Sequence, residues 1–483
     1  MSGLLSGLPD SVLSVAYLVS ATLFILGLRG MTHPRTAERG NLVSAAGMAL
    51  AVGVTTLWFE ILSPLVLLAA LLVGAAVGTW LARSVETTEM PQLVGLFNGF
   101  GGGASALVAG AELLDRLGSL GAAGTVPYDV TVAAGLAGLV GSVTFCGSLV
   151  AAGKLHGILE APIRYSGEHA VKLAFLVVAV LAGGSLVVRA GGPGGGAPLA
   201  GWLPTYWLVV LAASILGLLL VVPIGGADMP VVIALLNACS GLAAATTGFV
   251  LDNSVLIVAG TLVGASGLIL TNVMCRSMNR SLAGVLFGAY GAPPGAEGDE
   301  AAVYEGNVTS TSPEEVAMLL DVARRVVVVP GYGMAVGQAQ HAVAELTTLL
   351  EANGVDVAFG IHPVAGRLPG HMNVLLAEAN VPYERMKELE EVNPTFAETD
   401  VVLVTGANDV VNPSALTDAS SPIAGMPVLH VWEAGTVVVN KRSLSPGYAG
   451  IPNPLFTNPN TYMLFGDARE SVQAIVEEYR ATH

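Results

Sequence analysis

A polytopic α-helical membrane domain of about nine spans, followed by an α/β Rossmann-like domain with a six-stranded parallel sheet, is the fold class this sequence predicts. Three observations lead there. The chain is 53% hydrophobic and only 12% charged, whereas soluble proteins average about 25% charged. The charge is split: residues 1–280 carry 11 Lys and Arg against 12 Asp and Glu, and residues 281–483 carry 9 against 24. From residue 313, short β-branched runs alternate with helical stretches, the pattern of a parallel sheet buried on both faces. The expected division is therefore a membrane domain at 1–280, a linker at 281–312 and a soluble domain at 313–483.

The spans come first. Apolar stretches of about 18–25 residues, enough for a ~30 Å hydrocarbon core, lie near 11–29, 41–59, 61–82, 90–111, 130–153, 170–188, 205–222, 229–250 and 254–275. The first is too long for a cleaved signal and no cleavage motif follows it. One set of alternate loops holds Arg29, Arg35, Arg39, Arg83, Lys154, Arg164, Lys172, Arg276 and Arg280; the other holds only Arg116 and Arg189. The first set should face the cytoplasm. That orientation places the N-terminus outside and the acidic C-terminal domain inside, in a cell inner or plasma membrane.

Within the spans, Gly and Ala abound, as in Gly99-Phe100-Gly101-Gly102-Gly103-Ala104, so helix backbones can approach closely. No Asp, Glu, Lys, Arg or His sits in the middle of a span. The polar groups there include Asn98, Thr144, Ser148, Asn237 and Ser240. Buried amides and hydroxyls bridge helices or hold water, which makes Asn98 and Asn237 candidates for a proton path. Asp228, at a cytoplasmic helix start, is a third candidate, although a carboxylate there can simply cap its helix. Cys146, Cys239 and Cys275 lie in or at the end of apolar segments, with the spacing of neither a zinc site nor a disulfide framework. No metal site is expected. The linker contains Gly291-Ala292-Pro293-Pro294-Gly295 and then turns acidic, which reads as flexible and solvated.

In the soluble half, strands are expected at 326–330, 355–361, 401–405, 428–432, 436–440 and 462–465. Helices are expected at 313–322, 335–352, 371–379, 383–391 and 467–480. The first strand runs into Gly331-Tyr332-Gly333-Met334-Ala335-Val336, opening a long helix. Two glycines there permit a tight turn and close approach of a pyrophosphate to a helix N-terminus; the third fingerprint position is Val336. The second strand ends in Gly360-Ile361-His362-Pro363, without the carboxylate that binds the ribose of NAD. Lys441-Arg442-Ser443 follows the fifth strand instead, and adjacent cations with a hydroxyl suit a phosphate dianion. That argues for NADP over NAD.

With these segments in view, the chain resembles the β subunit of proton-translocating nicotinamide nucleotide transhydrogenase over essentially its whole length. The resemblance is carried by Glu89-Met90-Pro91, Ile224 to Pro230, Pro330 to Val336, Gly360 to Leu375 (GIHPVAGRLPGHMNVL) and Gly406 to Pro413 (GANDVVNP). It continues through Ser421 to Val428 (SPIAGMPV), Lys441 to Ser443, Gly447-Tyr448-Ala449-Gly450, Asn453-Pro454-Leu455-Phe456 and Met463 to Ala468. The resemblance implies reversible hydride transfer between NAD(H), held by a separate α subunit, and NADP(H), held here, coupled to proton passage through the spans. It implies partner α subunits that carry the NAD(H)-binding domain and further transmembrane helices, a dimer of the whole complex, a lipid bilayer and no nucleic acid.

Motif by motif, the resemblance implies that Gly331, Tyr332, Gly333 and Val336 line NADP, with Val364, Ala365, Gly366, Arg367, Leu368 and Pro369. It adds Gly406, Ala407, Asn408, Asp409 and Val410, then Gly425 and Met426. Lys441, Arg442, Ser443, Gly447, Tyr448, Asp467 and Ala468 complete the set. NADP would lie reversed relative to an ordinary Rossmann ligand, with Arg367 at the pyrophosphate and a lid around Tyr448. Asn408, Asp409 and Tyr448 would be the catalytic group. Asp409 would link nucleotide state to protonation, relayed by the linker and the helix ends near Asp228 and Arg276. One departure stands out: some family members carry His where this chain has Asn98, and none of the eight histidines here is mid-span. The alternative reading is a nucleotide-gated channel or transporter with an NADP-sensing domain.

Overall fold

The computed structural model describes residues 10–31, 34–58, 64–85, 89–120, 125–159, 166–189, 196–225, 228–279, 281–287, 304, 308–367, 370–447 and 449–483. The first nine helices are α1 (Asp10–Met31), α2 (Pro34–Trp58), α3 (Pro64–Ser84), α4 (Met90–Leu120) and α5 (Tyr128–Leu155), then α6 (Glu168–Arg189), α7 (Leu199–Val221), α8 (Met229–Val250) and α9 (Ser254–Ser277). Among the described residues, seven of these are long and apolar enough to cross a membrane. The other two, α2 and α3, cover the expected spans at 41–59 and 61–82; α3 contains the apolar stretch Leu68–Leu81, and residues 59–63 lie outside the described residues. The chain divides into two compact units, Met1–Ile224 with Val232–Leu270, and Gly225–Val231 with Thr271–His483.

The first unit is a helical bundle held by small residues. A methyl on Gly102 of α4 would lie 2.7 Å from the Gly141 carbonyl oxygen of α5, and one on Gly141 would lie 2.5 Å from that of Gly102. The two backbones therefore touch, the close approach that packs helices in lipid. Tyr206 of α7 is fully buried and donates its hydroxyl to the Ala106 carbonyl at 2.5 Å, so its polar tip is satisfied inside the bundle. Lys154 at the end of α5 donates to the carbonyls of Val222 and Ile224, the latter at 2.6 Å. A cation is well placed there, beside the negative end of α7. Two three-residue strands in the loops, β1 (Thr125–Pro127) and β2 (Gly196–Pro198), pair antiparallel.

The second unit holds a parallel sheet of seven strands, not six. They are β3 (Thr309–Ser310), β4 (Arg325–Pro330), β5 (Asp356–Ile361), β6 (Met386–Glu388), β7 (Val401–Thr405), β8 (Thr436–Lys441) and β9 (Thr461–Phe465), in the order β3-β9-β8-β7-β4-β5-β6. The β-branched runs behave as the pattern requires. Val326 and Val328 face one layer, with Leu346, Leu375 and Ile475. Val327 and Val329 face the other, with Phe396, Leu429 and Phe456. Both faces are dry, as in doubly wound sheets.

Three expectations need correction. Residues 428–432 are not a strand: Leu429 and Val431 are fully buried against the sheet face, but the segment ends in a short 3₁₀ turn, Val431–Glu433. Its alternating pattern is met by packing alone, without a ladder. The helix expected at 383–391 is a 3₁₀ turn (Tyr383–Arg385), strand β6 and one helical turn (Leu389–Val392). Tertiary pairing overrides propensity there: Arg385 donates to the Val357 carbonyl at 3.2 Å and bridges Glu351 at 2.7 Å, and Met386 pairs with Phe359. The long helix expected at 335–352 is two, Tyr332–Val336 and Gln340–Ala352, broken where Gln338 takes φ +52°.

The linker is also more ordered at its end than its composition suggests. Tyr304 is 6% exposed, and Thr309–Ser310 add the edge strand β3 to β9. Residues 288–303 lie outside the described residues. A soluble, folded fragment is expected for residues 291–483. Starting instead at 313 removes Tyr304 and β3, and this is expected to lower unfolding free energy by about 1–3 kcal/mol, the cost of a stranded buried donor. Equal urea midpoints for the two fragments would contradict this.

Candidate active site

Strand β4 is the switch point of the sheet. The connection from β4 to β5 covers one face through the helix Gln340–Ala352; the connection from β7 to β8 covers the other through Val410, Val411 and Leu429. Ligands of open α/β sheets bind in the crevice this leaves at the carboxyl ends of the strands. A cleft of about 470 Å³ opens there, within the usual range for small-molecule sites.

Two glycine-rich turns form its floor. Gly331 N–H donates to the Thr405 carbonyl, and Gly333 N–H to the Gly406 carbonyl, both at 2.9 Å. A Cβ on Gly331 would sit 2.4 Å from the Ala407 backbone, and Gly406 adopts φ +68° with its missing Cβ 2.4 Å from Gly333. The glycines thus let the two turns lie backbone to backbone. The first purpose of the fingerprint is this mutual packing.

One wall is the segment Val364 to Arg367. The Arg367 guanidinium lies 4.4 Å over the Tyr332 ring, a cation–π contact. Arg367 N–H donates to His371 Nδ1 at 3.0 Å, and Val364 N–H donates to His362 Nδ1 at 3.2 Å, while His362 Nε2 donates to the Pro427 carbonyl at 2.7 Å. Both imidazoles are essentially fully buried. Burial pushes each down to about 4, and the Arg367 charge adds to this at His371. In the unfolded chain they titrate near 6.5. Between those values the unfolded chain binds more protons, so stability is expected to fall as pH drops from about 6.5 toward about 4. A urea midpoint of residues 291–483 that is flat across this window would count against it, and His371→Gln should shallow the slope.

The opposite wall is the segment after β8. Lys441 Nζ donates to the Ser445 carbonyl at 2.6 Å and lies 5.4 Å from the Phe456 ring centre. Burial pushes this ammonium below the ordinary lysine value, and the Asp409 carboxylate opposes the shift. Arg442 turns the other way and pairs with Asp467 at 2.6 Å. Asp467 also caps the C-terminal helix Ala468–Thr482 by accepting from Arg469 N–H at 3.0 Å. The Arg442 hydrogen bond leads the causes that hold its carboxyl below the usual range. The Ser443 hydroxyl donates to that of Ser445 at 2.9 Å.

Asn408 and Asp409 join the walls. With its amide oxygen turned to the cleft, Asn408 accepts from Gly447 N–H at 2.7 Å and from Lys441 Nζ at 3.0 Å. Asp409 accepts from Ala449 N–H at 3.0 Å. Gly447 backs directly on this carboxylate: a Cβ there would lie 2.5 Å from both oxygens.

The cleft gathers most of the residues expected from sequence: Gly331, Tyr332, Gly333 and Val336, the loop Val364 to Arg367, the run Gly406 to Val410, then Lys441, Arg442, Ser443, Gly447 and Ala468. Asp467 reaches it through Arg442. Gly425 and Met426 do not line it; Met426 is buried in a satellite core with Ala415, Ile423 and Val428. Leu368, Pro369 and Tyr448 lie outside the described residues. Sequence reasoning missed Asn440 and Gly466, which also line the cleft, as does Pro446 between Ser443 and Gly447. The signal for Asn440 was available, since it is the one polar residue in the run Val437–Asn440 at the strand end. It also overlooked the two anchoring histidines, each placed within GIHPVAGRLPGH.

Of the proton-path candidates, Asn98 is 7% exposed and donates to the Ile233 carbonyl at 3.4 Å. Asn237 is half-buried on α8. Asp228 is 6% exposed at the start of α8, with its N–H bonded to the Gly225 carbonyl at 3.2 Å.

Comparison with known proteins adds to this geometry. A family model described as NAD(P) transhydrogenase beta subunit matches residues 13–478. Two curated Rhodospirillum rubrum proteins, one from a particular strain of that species, are each named NAD(P) transhydrogenase subunit beta. Each is 46% identical over 469 residues, covering 97% of this chain and 99% of its own length.

Proposed function

The chain belongs to the NAD(P) transhydrogenase beta-subunit family, and from that premise we propose that its C-terminal cleft binds NADP(H) and couples hydride exchange with NAD(H) on an α subunit to proton movement through its spans. Residues 1–280 are the proton-translocating membrane domain, 281–312 the linker and 313–483 the nucleotide domain, which faces the cytoplasm. One observation carries this reading: a cleft of suitable size at the sheet's switch point with two clustered cations, Lys441 and Arg442, in a region otherwise strongly acidic.

The donor set fits a phosphorylated dinucleotide. Arg367, stacked on Tyr332, suits the pyrophosphate. Lys441, Arg442 and Ser443 suit the 2′-phosphate, which favours charge-assisted donors. The nucleotide supplies the hydride chemistry. This chain's residues orient it, and the Asn408–Asp409 pair places a carboxylate directly against Gly447. Asn98, Asn237 and Asp228 are proposed for the proton path.

The coupling has a sensible size. A charge crossing about 150 mV gains roughly 3.5 kcal/mol. One proton per hydride would then shift the NADPH/NADP ratio by roughly 300-fold at fixed NADH/NAD.

The test combines the chain with an α subunit in sealed vesicles and follows reduction of an NADP analogue by NADH together with internal acidification. Transfer with acidification supports the proposal. Ion conductance responding to NADP without any hydride transfer would favour the nucleotide-gated channel. The chain alone is expected to transfer no hydride from NADH, because one glycine fingerprint makes one dinucleotide site. Donor and acceptor must approach within about 3–3.5 Å, so the second nucleotide comes from the partner, for which residues 411–427 are the proposed docking segment. NADH-dependent NADP reduction by the purified single subunit would refute this.

A further inference from the structure

Apart from the Phe456 ring beside Lys441 Nζ, the motif Asn453-Pro454-Leu455-Phe456 does not line the cleft described above, and the buried Tyr304 does not line it either. The two meet. Tyr304 accepts a hydrogen bond from Asn453 N–H at 2.6 Å, and its ring lies 6.0 Å from that of Phe456. Asn453 is fully buried. Its Oδ1 accepts from Leu455 N–H at 3.0 Å, capping the turn Pro454–Thr457, and its Nδ2 donates to the main-chain carbonyl of Asn408 at 3.1 Å. Asn408 in turn faces Lys441 and Gly447 across the cleft.

We propose that Tyr304 is a positioning residue: through Asn453 it ties the linker to the Asn408–Asp409 end of the nucleotide cleft. This role rests on the cleft being the NADP site. Each contact in the relay is short, and the two residues that carry it are almost wholly excluded from water, where a hydrogen bond is stronger and its loss is felt most. Phe456 alone would satisfy a purely apolar packing role for residue 304. The hydroxyl supplies an acceptor for the buried Asn453 N–H, which a phenylalanine ring could not. The chain entering the nucleotide domain is thereby fixed to the backbone that presents Asn408 and Asp409, so displacement of the linker is felt at the cleft.

The experiment uses the full chain with its α subunit in vesicles, far below the melting temperature, and measures KM for NADP and for NADH separately. Tyr304→Phe keeps the ring and removes the hydroxyl. The expected result is a rise in KM for NADP of about three- to tenfold, with KM for NADH within about twofold. A fall in Vmax alone, or equal changes in both KM values, would mean a merely structural role and overturn the proposal. So would an unchanged Tyr304→Phe enzyme beside an impaired Tyr304→Ala, which would assign the effect to the ring. Should Tyr304→Phe fail to fold, Asn453→Ser serves instead, since serine can still cap Leu455 but cannot reach Asn408. The same split in KM is expected, and its absence refutes the relay. Failure of the unsubstituted enzyme to saturate with NADP would refute the site reading itself. Normal saturation with an unaffected Tyr304→Phe refutes only the relay.

Discussion

Asp409→Asn is expected to keep NADP binding within about tenfold, roughly 1.4 kcal/mol, while reducing both hydride transfer and proton translocation by orders of magnitude. Asparagine preserves the shape of the side chain and can still accept from Ala449 N–H, as the carboxylate does. It cannot take up or release a proton. The nicotinamide ring of NADP⁺ carries a positive charge that NADPH lacks, so a carboxylate near it feels the redox state electrostatically. Gly447 offers a second approach to the same group. A methyl at that position would press on both carboxylate oxygens, so Gly447→Ala should displace the Asp409 carboxylate without changing its chemistry. Reconstituted Asp409→Asn enzyme that acidifies vesicles near the wild-type rate would remove Asp409 from the coupling role. Asp228 and the intramembrane asparagines would then be the next candidates.

The second large effect is on nucleotide selection. Lys441→Ala combined with Arg442→Ala is expected to weaken NADP binding far more than NAD binding. Each lost charge-assisted contact is worth about 1.5–3 kcal/mol, so the affinity ratio should fall by about a hundredfold or more. The two cations leave different neighbours behind. Lys441 gives up the Ser445 carbonyl, and Arg442 gives up Asp467. Because Arg442 is largely exposed and already paired, part of its attraction to a phosphate is offset by the carboxylate it must share. Calorimetry with NADP and NAD on the double variant decides the matter, and an unchanged ratio would contradict the 2′-phosphate assignment.

The valine runs show how far local pattern reaches. Val326 to Val329 predict a strand buried on both faces, and the strand is there, with Val326 and Val328 against one layer and Val327 and Val329 against the other. The same logic fails at 428–432. Leu429 and Val431 alternate as strand residues do, but burial of alternate side chains needs only a surface to pack on, and the sheet face supplies it without a ladder. At 386–388 the reverse holds. Nothing in Met386-Lys387-Glu388 favours a strand, and pairing with Phe359 to Ile361 imposes one.

Within the site, residue types determined by charge and backbone geometry were legible. Lys441 and Arg442 stand out against an acidic background, and Gly331, Gly333 and Gly406 mark turns that a side chain would block. Residues whose role is a partner distant in sequence were not. Periodicity carries no information about a pairing across a sequence separation of 149, as between Tyr304 and Asn453, or about which backbone group His371 will hold. By itself the amino-acid sequence determined the helical membrane and α/β domain classes, the parallel sheet and the clustered cations Lys441 and Arg442, because these follow from hydropathy, periodicity and charge. The tertiary structure alone decided that the two glycine turns pack on each other, that Met426 turns into a satellite core, and that the linker's tyrosine ends on the hydrogen bonds behind Asn408. Those are consequences of which buried donors and acceptors meet in space, and buried polar groups take whatever partner the fold brings within reach.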